Sequence, residues 1–164
     1  ELNDVLTRIV EQAALLVQAD HGFIYLVQPD RSLKISAIYN HDEAWIGHTI
    51  EPGMGQSGII ALTGRPNIVL DYDAWSHANP EILEKLGGEV TLVGVPLTYR
   101  GLVLGVLQVA FHPAQADEPE NARNMLMMLA PQAAIAIAKA QLHETVRQEQ
   151  RQLQAILDLS LIHI

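Results

Sequence analysis

The chain has 164 residues, 49% hydrophobic and 18% charged, enough apolar chain to fill one core and too much for a disordered segment. Ten Lys and Arg stand against nineteen Asp and Glu, a net charge of −9, which argues against a nucleic-acid surface, because phosphate binding needs a basic patch and none is visible. The absence of Cys excludes disulfides, thiolate metal sites, cysteine nucleophiles and thioether-linked cofactors, and fits a cytosolic protein.

Apolar residues at Leu2, Val5, Leu6, Ile9, Val10, Ala13, Leu16 and Val17 predict an amphipathic helix over residues 2–17. Gly22–Val27 is a short β run. Pro29-Asp30-Arg31-Ser32 is turn chemistry, and Leu33–Tyr39 alternates as the partner strand. Residues 40–48 form a polar loop with His41, Trp45 and His48, followed by a brief edge strand at Thr49-Ile50-Glu51. Three glycines between Gly53 and Gly58 predict a tight turn, continued by a short helix over Ile59–Thr63 that Gly64 stops. Asn67–Leu70 reads as a strand. Residues 71–89 form a long polar segment with one short helix at Pro80–Leu86, ended by Gly87-Gly88; segments of this kind usually carry function.

Val90–Phe111 holds two apolar runs around Arg100-Gly101, the pattern of a β-hairpin whose Gly101 supplies a positive φ. Few of its side chains tolerate water, which predicts the middle of an antiparallel sheet with helices over it. A polar connection over Pro113–Pro119 places Asp117, Glu118 and Glu120 near a helix start. A long helix is expected from about Glu120 to Asp158, kinked or divided at Pro131. Its second part is polar except for a stripe at Leu142, Val146, Leu153 and Ile156, with Glu149 in one slot, which predicts a coiled-coil seam and a partner helix.

The expected fold class is α+β: an antiparallel sheet of about five to six strands, both terminal helices on one face, and a short-helix and loop cover on the other. The glycine-rich turn lacks the Lys-Ser/Thr of a P-loop. His41, His48, His77 and His112 are scattered without the paired spacing of a zinc site, so surface or structural histidines are expected. No catalytic constellation is recognisable, and no enzyme is expected.

The order of elements and four groups of residues together resemble the GAF domain family, a small-molecule sensory module of bacterial signalling proteins. The groups are Ala19–Leu26 after the first helix, Pro52–Pro66, the core Val93–Leu97 with Arg100-Gly101 and Leu104–Leu107, and the closing helix Ala133–Leu142. They are spread over about residues 2–143. The resemblance implies a fold in which Asp71–His77 covers a ligand cavity, so Ile59, Asp71, Tyr72, Trp75, His77 and Leu83 are the candidate ligand-binding residues. The missing Cys departs from the covalent-bilin and methionine-sulfoxide-reducing branches, and the Asn-Lys-Phe-Asp-Glu signature of the cyclic-nucleotide branch is not recognisable.

Arg151–Asp158 resembles the helical lead-in to a PAS domain, which implies a sensor histidine kinase of a two-component system as parent. Three segments are expected: a sensory domain over residues 1–141, a signalling linker over 142–158 and a non-native tail over 159–164. The opening without Met implies a fragment of a longer chain. The expected function is cytoplasmic small-molecule sensing with an unknown ligand or cofactor, signalled through a homodimer of terminal helices without nucleic-acid or direct membrane contact. The alternatives are a ligand-free structural dimerisation module and a non-covalent haem or redox sensor.

Overall fold

The computed structural model describes residues 1–163 except Ala74, Ser76, Gly88 and residues 113–117, and describes Leu83 by its backbone alone. The connection expected at Pro113–Pro119, with Asp117, lies largely outside the described residues. So do Ala74, Ser76, Gly88, the Leu83 side chain and the last residue of the expected tail, Ile164.

The element order is α1 (Leu2–Val17), β1 (His21–Val27), β2 (Leu33–Tyr39), a 3-10 turn (Glu43–Trp45), β3 (Thr49–Ile50), α2 (Gly55–Thr63), β4 (Asn67–Val69), α3 (Pro80–Leu86), β5 (Thr91–Tyr99), β6 (Leu102–Phe111) and α4 (Pro119–Ile162). The six strands form one sheet in the order β3-β2-β1-β6-β5-β4, and every pair is antiparallel. Both strands of the Val90–Phe111 hairpin are therefore interior, as its composition predicts, β6 in the middle of the sheet beside β1, and β5 next to the edge strand β4. At its tip Arg100 and Gly101 both take positive φ, 51° and 78°, the paired left-handed geometry of a two-residue hairpin turn.

Successive strand side chains point to opposite faces, so the sheet divides its residues between two cores. Ile24, Leu26, Val95, Leu107 and Val109 lie on one face beneath Leu6 and Val10 of α1 and Leu126, Ala133 and Ile137 of α4. Phe23, Tyr25, Val106, Ala110 and Leu92 lie on the other, beneath Ile60 of α2, Tyr72 and Leu86 of α3. Both terminal helices thus share one face, and the short elements cover the other.

Two boundaries differ from the sequence expectation. Helix α2 begins at Gly55, not Ile59, and its first turn is buried. Gly58 belongs to that turn because its Cα lies against the chain before the helix; a Cβ there would come within 2.8 Å of the Gly53 carbonyl carbon. The glycines set a helix tightly on its own lead-in rather than forming a free turn. Helix α4 runs as one helix through Pro131 and on to Ile162. Proline removes one hydrogen bond at a cost of about 3 kcal/mol. Buried Leu126 and Ala130 before it and Ala133, Ala134 and Ile137 after it fix both sides on the sheet and offset that loss.

By length and composition α4 is apolar enough to cross a membrane, but part of that apolar surface is the face packed on the sheet. Its last buried residue is Ala140, and every residue from Thr145 to His163 is exposed.

Candidate functional site

The face covered by α2 and α3 carries a polar row inside an apolar core. On β6, Gln108 follows the same alternation as Val106 and Ala110 and so points into that core. Its cross-strand partners are Phe23 on one side and Gly94 on the other. Gly94 is where α2 presses on the sheet: a Cβ there would meet Ile60 Cδ1 at 2.5 Å and Gln56 Oε1 at 3.0 Å. That approach lets Gln56 reach the strand.

Tyr25 Oη donates to Gln108 Oε1 at 2.7 Å, and Gln108 Nε2 donates to Gln56 Oε1 at 2.9 Å. Gln56 Nε2 in turn reaches the carbonyls of Asn67 (3.0 Å) and Leu92 (3.1 Å). All three side chains are buried. Beside them, the Ser57 hydroxyl lies against Tyr25 and is buried without a hydrogen-bond partner. Burial pushes the Tyr25 phenol far up, so it remains a neutral donor at any physiological pH.

Gln108 and Tyr25 form the floor of a cavity of about 20 Å³, walled by Phe23, Ile35 and His41 and roofed by Trp45, Ile82, Lys85 and Leu86. That volume admits about one water. In the roof, Lys85 Nζ lies 4.2 Å from the centre of the Trp45 ring, a cation–π contact that ties α3 to the 3-10 turn. A larger concavity of about 1140 Å³ lies elsewhere, around the end of the sheet between the hairpin tips and the Gln141–Gln148 stretch of α4. It is an open angle beneath a projecting helix, and neither Tyr25, Gln108 nor Gln56 lines it.

Of the six residues expected from the sequence, the five whose side chains are described do not line the cavity. Tyr72 is buried; its hydroxyl accepts from the Asn79 N–H at 2.7 Å, and the Asn79 side chain accepts from the Glu81 N–H at the start of α3. Burial raises the Tyr72 phenol, while the Asn79 bond opposes that rise. Trp75 is half-buried, its ring 5.7 Å from Tyr72 and 5.4 Å from His77. The structure therefore brings Tyr72, Trp75 and His77 together as the support that holds α3. Asp71 is exposed and its carboxylate accepts from the Asp73 N–H; Ile59 is half-buried on α2 beside the fully buried Ile60. Leu83 is placed on α3 by its backbone.

The residues sequence reasoning passed over are Gln108, Gln56, Tyr25 and the Trp45–Lys85 roof. A signal for Gln108 was present: one amide in a strand otherwise apolar.

Histidines far apart in sequence also meet. At the end of β1 and β6, His21 Nε2 and His112 Nε2 are 2.7 Å apart, and the His41 ring packs edge-on against His21. His21 Nδ1 contacts the Asn40 carbonyl, and the His112 N–H donates to the Asp20 carboxylate at 2.7 Å. Among the described residues no group of three His, Asp or Glu is placed to hold a metal ion. The Nε2–Nε2 contact needs one protonated and one bare nitrogen, so it opposes a second proton.

Burial first, then the neighbouring His112 and His41, lower the His21 pKa, while the Asn40 carbonyl acts against them. The unfolded chain thus binds this proton at a higher pH than the folded chain. Stability falls as pH drops through about 6.5, the unfolded His value, towards the lowered folded value. Thermal melts from about pH 7.5 to about pH 5 are expected to show this loss, and a smaller one in His21→Gln. Equal losses in both proteins would contradict the assignment.

A family model described as GAF domain matches residues 1–138. The chain belongs to the GAF domain family. Among solved structures, the GAF domain of an Acinetobacter phosphoenolpyruvate-protein phosphotransferase is 29% identical, with TM-score 0.68, covering 87% of this chain and 85% of that one. The GAF domain of the corresponding Coxiella burnetii protein shares the fold at TM-score 0.77 and 18% identity, over 88% and 87% of the two chains. A Nif-specific regulatory protein of Azospirillum brasilense is 28% identical over 162 residues, 92% of this chain. The chain spans about a quarter of that relative's length, 25%. As a GAF domain, the chain is a regulatory sensing domain.

Proposed function

We propose that this chain senses a small molecule on the α2–α3 face and passes occupancy along α4 of a cytoplasmic homodimer to an output module. The observation that carries this reading is the buried row Tyr25–Gln108–Gln56 under a roof of separately tethered pieces. Buried amides add little to a core that apolar residues fill equally well. They are suited to hydrogen-bonding a polar, uncharged part of a ligand, with Phe23, Trp45 and Ile82 supplying apolar contact.

A cavity admitting about one water requires the roof to move outward before a larger molecule enters. That movement is the mechanism: a ligand shifts the domain only by binding the opened arrangement better than the closed one. Tyr72 and Asn79, which hold the start of α3, are the hinge of the roof. No catalytic step is assigned to any residue.

The lead-in resemblance at Arg151–Asp158 makes a sensor histidine kinase one parent. The Azospirillum relative favours a second reading, a regulatory protein of its type. The cavity's small volume favours the rival reading of a filled structural module.

The chain has two Trp, and both Trp45 and Trp75 pack on this face. Adding the small-molecule fraction of a bacterial lysate to the Trp75→Phe variant is expected to shift or quench the remaining Trp45 emission. Unchanged emission, with no rise in melting temperature, would sink the sensing reading in favour of the filled module.

A further inference from the structure

On α4, residues Met128, Gln132, Ile135, Lys139, Leu142, Val146, Glu149, Leu153 and Ile156 follow an unbroken 4,3 spacing, the spacing of one coiled-coil seam. All nine are exposed, including Met128 at 81% and Ile135 at 53% on the half of α4 that packs on the sheet with its opposite side. The seam therefore does not begin where the helix leaves the domain. It runs with one phase along the domain's outer surface and along the projecting half.

Two of the positions are charged, Lys139 and Glu149, and their places decide the orientation of a partner. In a parallel, in-register pair Lys139 faces Lys139 of the second copy and Glu149 faces Glu149, two like-charge contacts in the seam. In an antiparallel pair centred on residue 144, position i faces position 288 − i. Lys139 then faces Glu149 twice, Leu142 faces Val146, Ile135 faces Leu153 and Gln132 faces Ile156. Eight of the nine positions pair with one another, Met128 faces Ser160, and both charges are neutralised by the same two-fold axis, the self-complementarity a closed dimer requires.

We propose that two copies of this chain pair through an antiparallel α4–α4 seam, the projecting half of each helix lying on the domain half of the other, in the register set by Lys139 and Glu149. This rests on the homodimer of the proposed function and adds its orientation and register.

The chain has no Cys, so crosslinking reads the register directly. Facing positions in the antiparallel pair come within disulfide reach, while each residue is about 15 Å along the axis from its own copy. Under mild oxidation the double variant Lys139→Cys/Glu149→Cys is expected to form a covalent dimer, and neither single variant is. Covalent dimers of the single variants would show a parallel seam and overturn the register while keeping the homodimer. A monomer by sedimentation, with no crosslink in any variant, would overturn both.

Charge reversal gives an independent reading. Lys139→Glu alone is expected to raise the dimer dissociation constant about tenfold or more, and adding Glu149→Lys in the same chain to restore it. A parallel seam merely exchanges one like-charge pair for another, so an unchanged constant in Lys139→Glu would also overturn the register.

Discussion

Replacing Gln108 by Leu is expected to destabilise the domain by about 2–4 kcal/mol, although the new side chain is apolar and similar in length. The change leaves Tyr25 Oη and Gln56 Oε1 buried without partners, each orphan costing about 1–3 kcal/mol. Denaturant unfolding measures the loss. Adding Tyr25→Phe removes one orphan, so the double variant should recover about 1 kcal/mol rather than lose more. A Gln108→Leu protein as stable as the parent would mean that the amides are not held as a network. A double variant less stable than the single would mean that Tyr25 acts through something other than Gln108.

The second large effect separates the two halves of α4. Ile137 is fully buried between the helix and the sheet, whereas Leu142, five positions on, is 65% exposed. Ile137→Ala is expected to cost about 2–5 kcal/mol through lost burial and the cavity left behind. Leu142→Ala is expected to change the stability of the folded monomer by less than about 0.5 kcal/mol and to act on association instead. Unfolding measured at low protein concentration, with sedimentation at high concentration, distinguishes these effects. A large monomer penalty for Leu142→Ala would place that half of the helix inside the domain's own core.

Most of the fold is legible because its signals are local. The 3,4 spacing in Leu2–Val17 and the apolar runs on either side of Arg100-Gly101 each need only a few neighbouring residues to be read. Pro80 and Gly87 bracket α3 just as directly. The failures are where a tertiary contact overrides a local rule. Gly55 and Gly58 read as turn residues because glycine is a poor helix former, yet close approach to Gly53 makes glycine necessary at 58. Pro131 reads as a kink or a division; the helix is not divided there, because the sheet holds it on both sides, which the sequence does not show.

The candidate site was less legible for the same reason. The aromatic character of Tyr72 and Trp75 points to a segment that supports α3, beside the cavity that α3 roofs. Gln108 stood among apolar neighbours, but its meaning depends on Tyr25 and Gln56, brought to it by strand pairing and by the close seat of α2 on Gly94. His21 and His112 are 91 residues apart, and no spacing rule joins them; the antiparallel pairing of β1 with β6 does.

On the proposed function, the α2–α3 face takes up a small molecule beneath a movable roof. The most direct test is native mass spectrometry of the chain after incubation with the small-molecule fraction of a bacterial lysate. The comparison is Ile82→Trp, which fills the cavity from its roof. A retained adduct of defined mass is expected on the parent protein, released on denaturation, and none on the variant. Bare protein masses in both, or the same adduct on both, would contradict it.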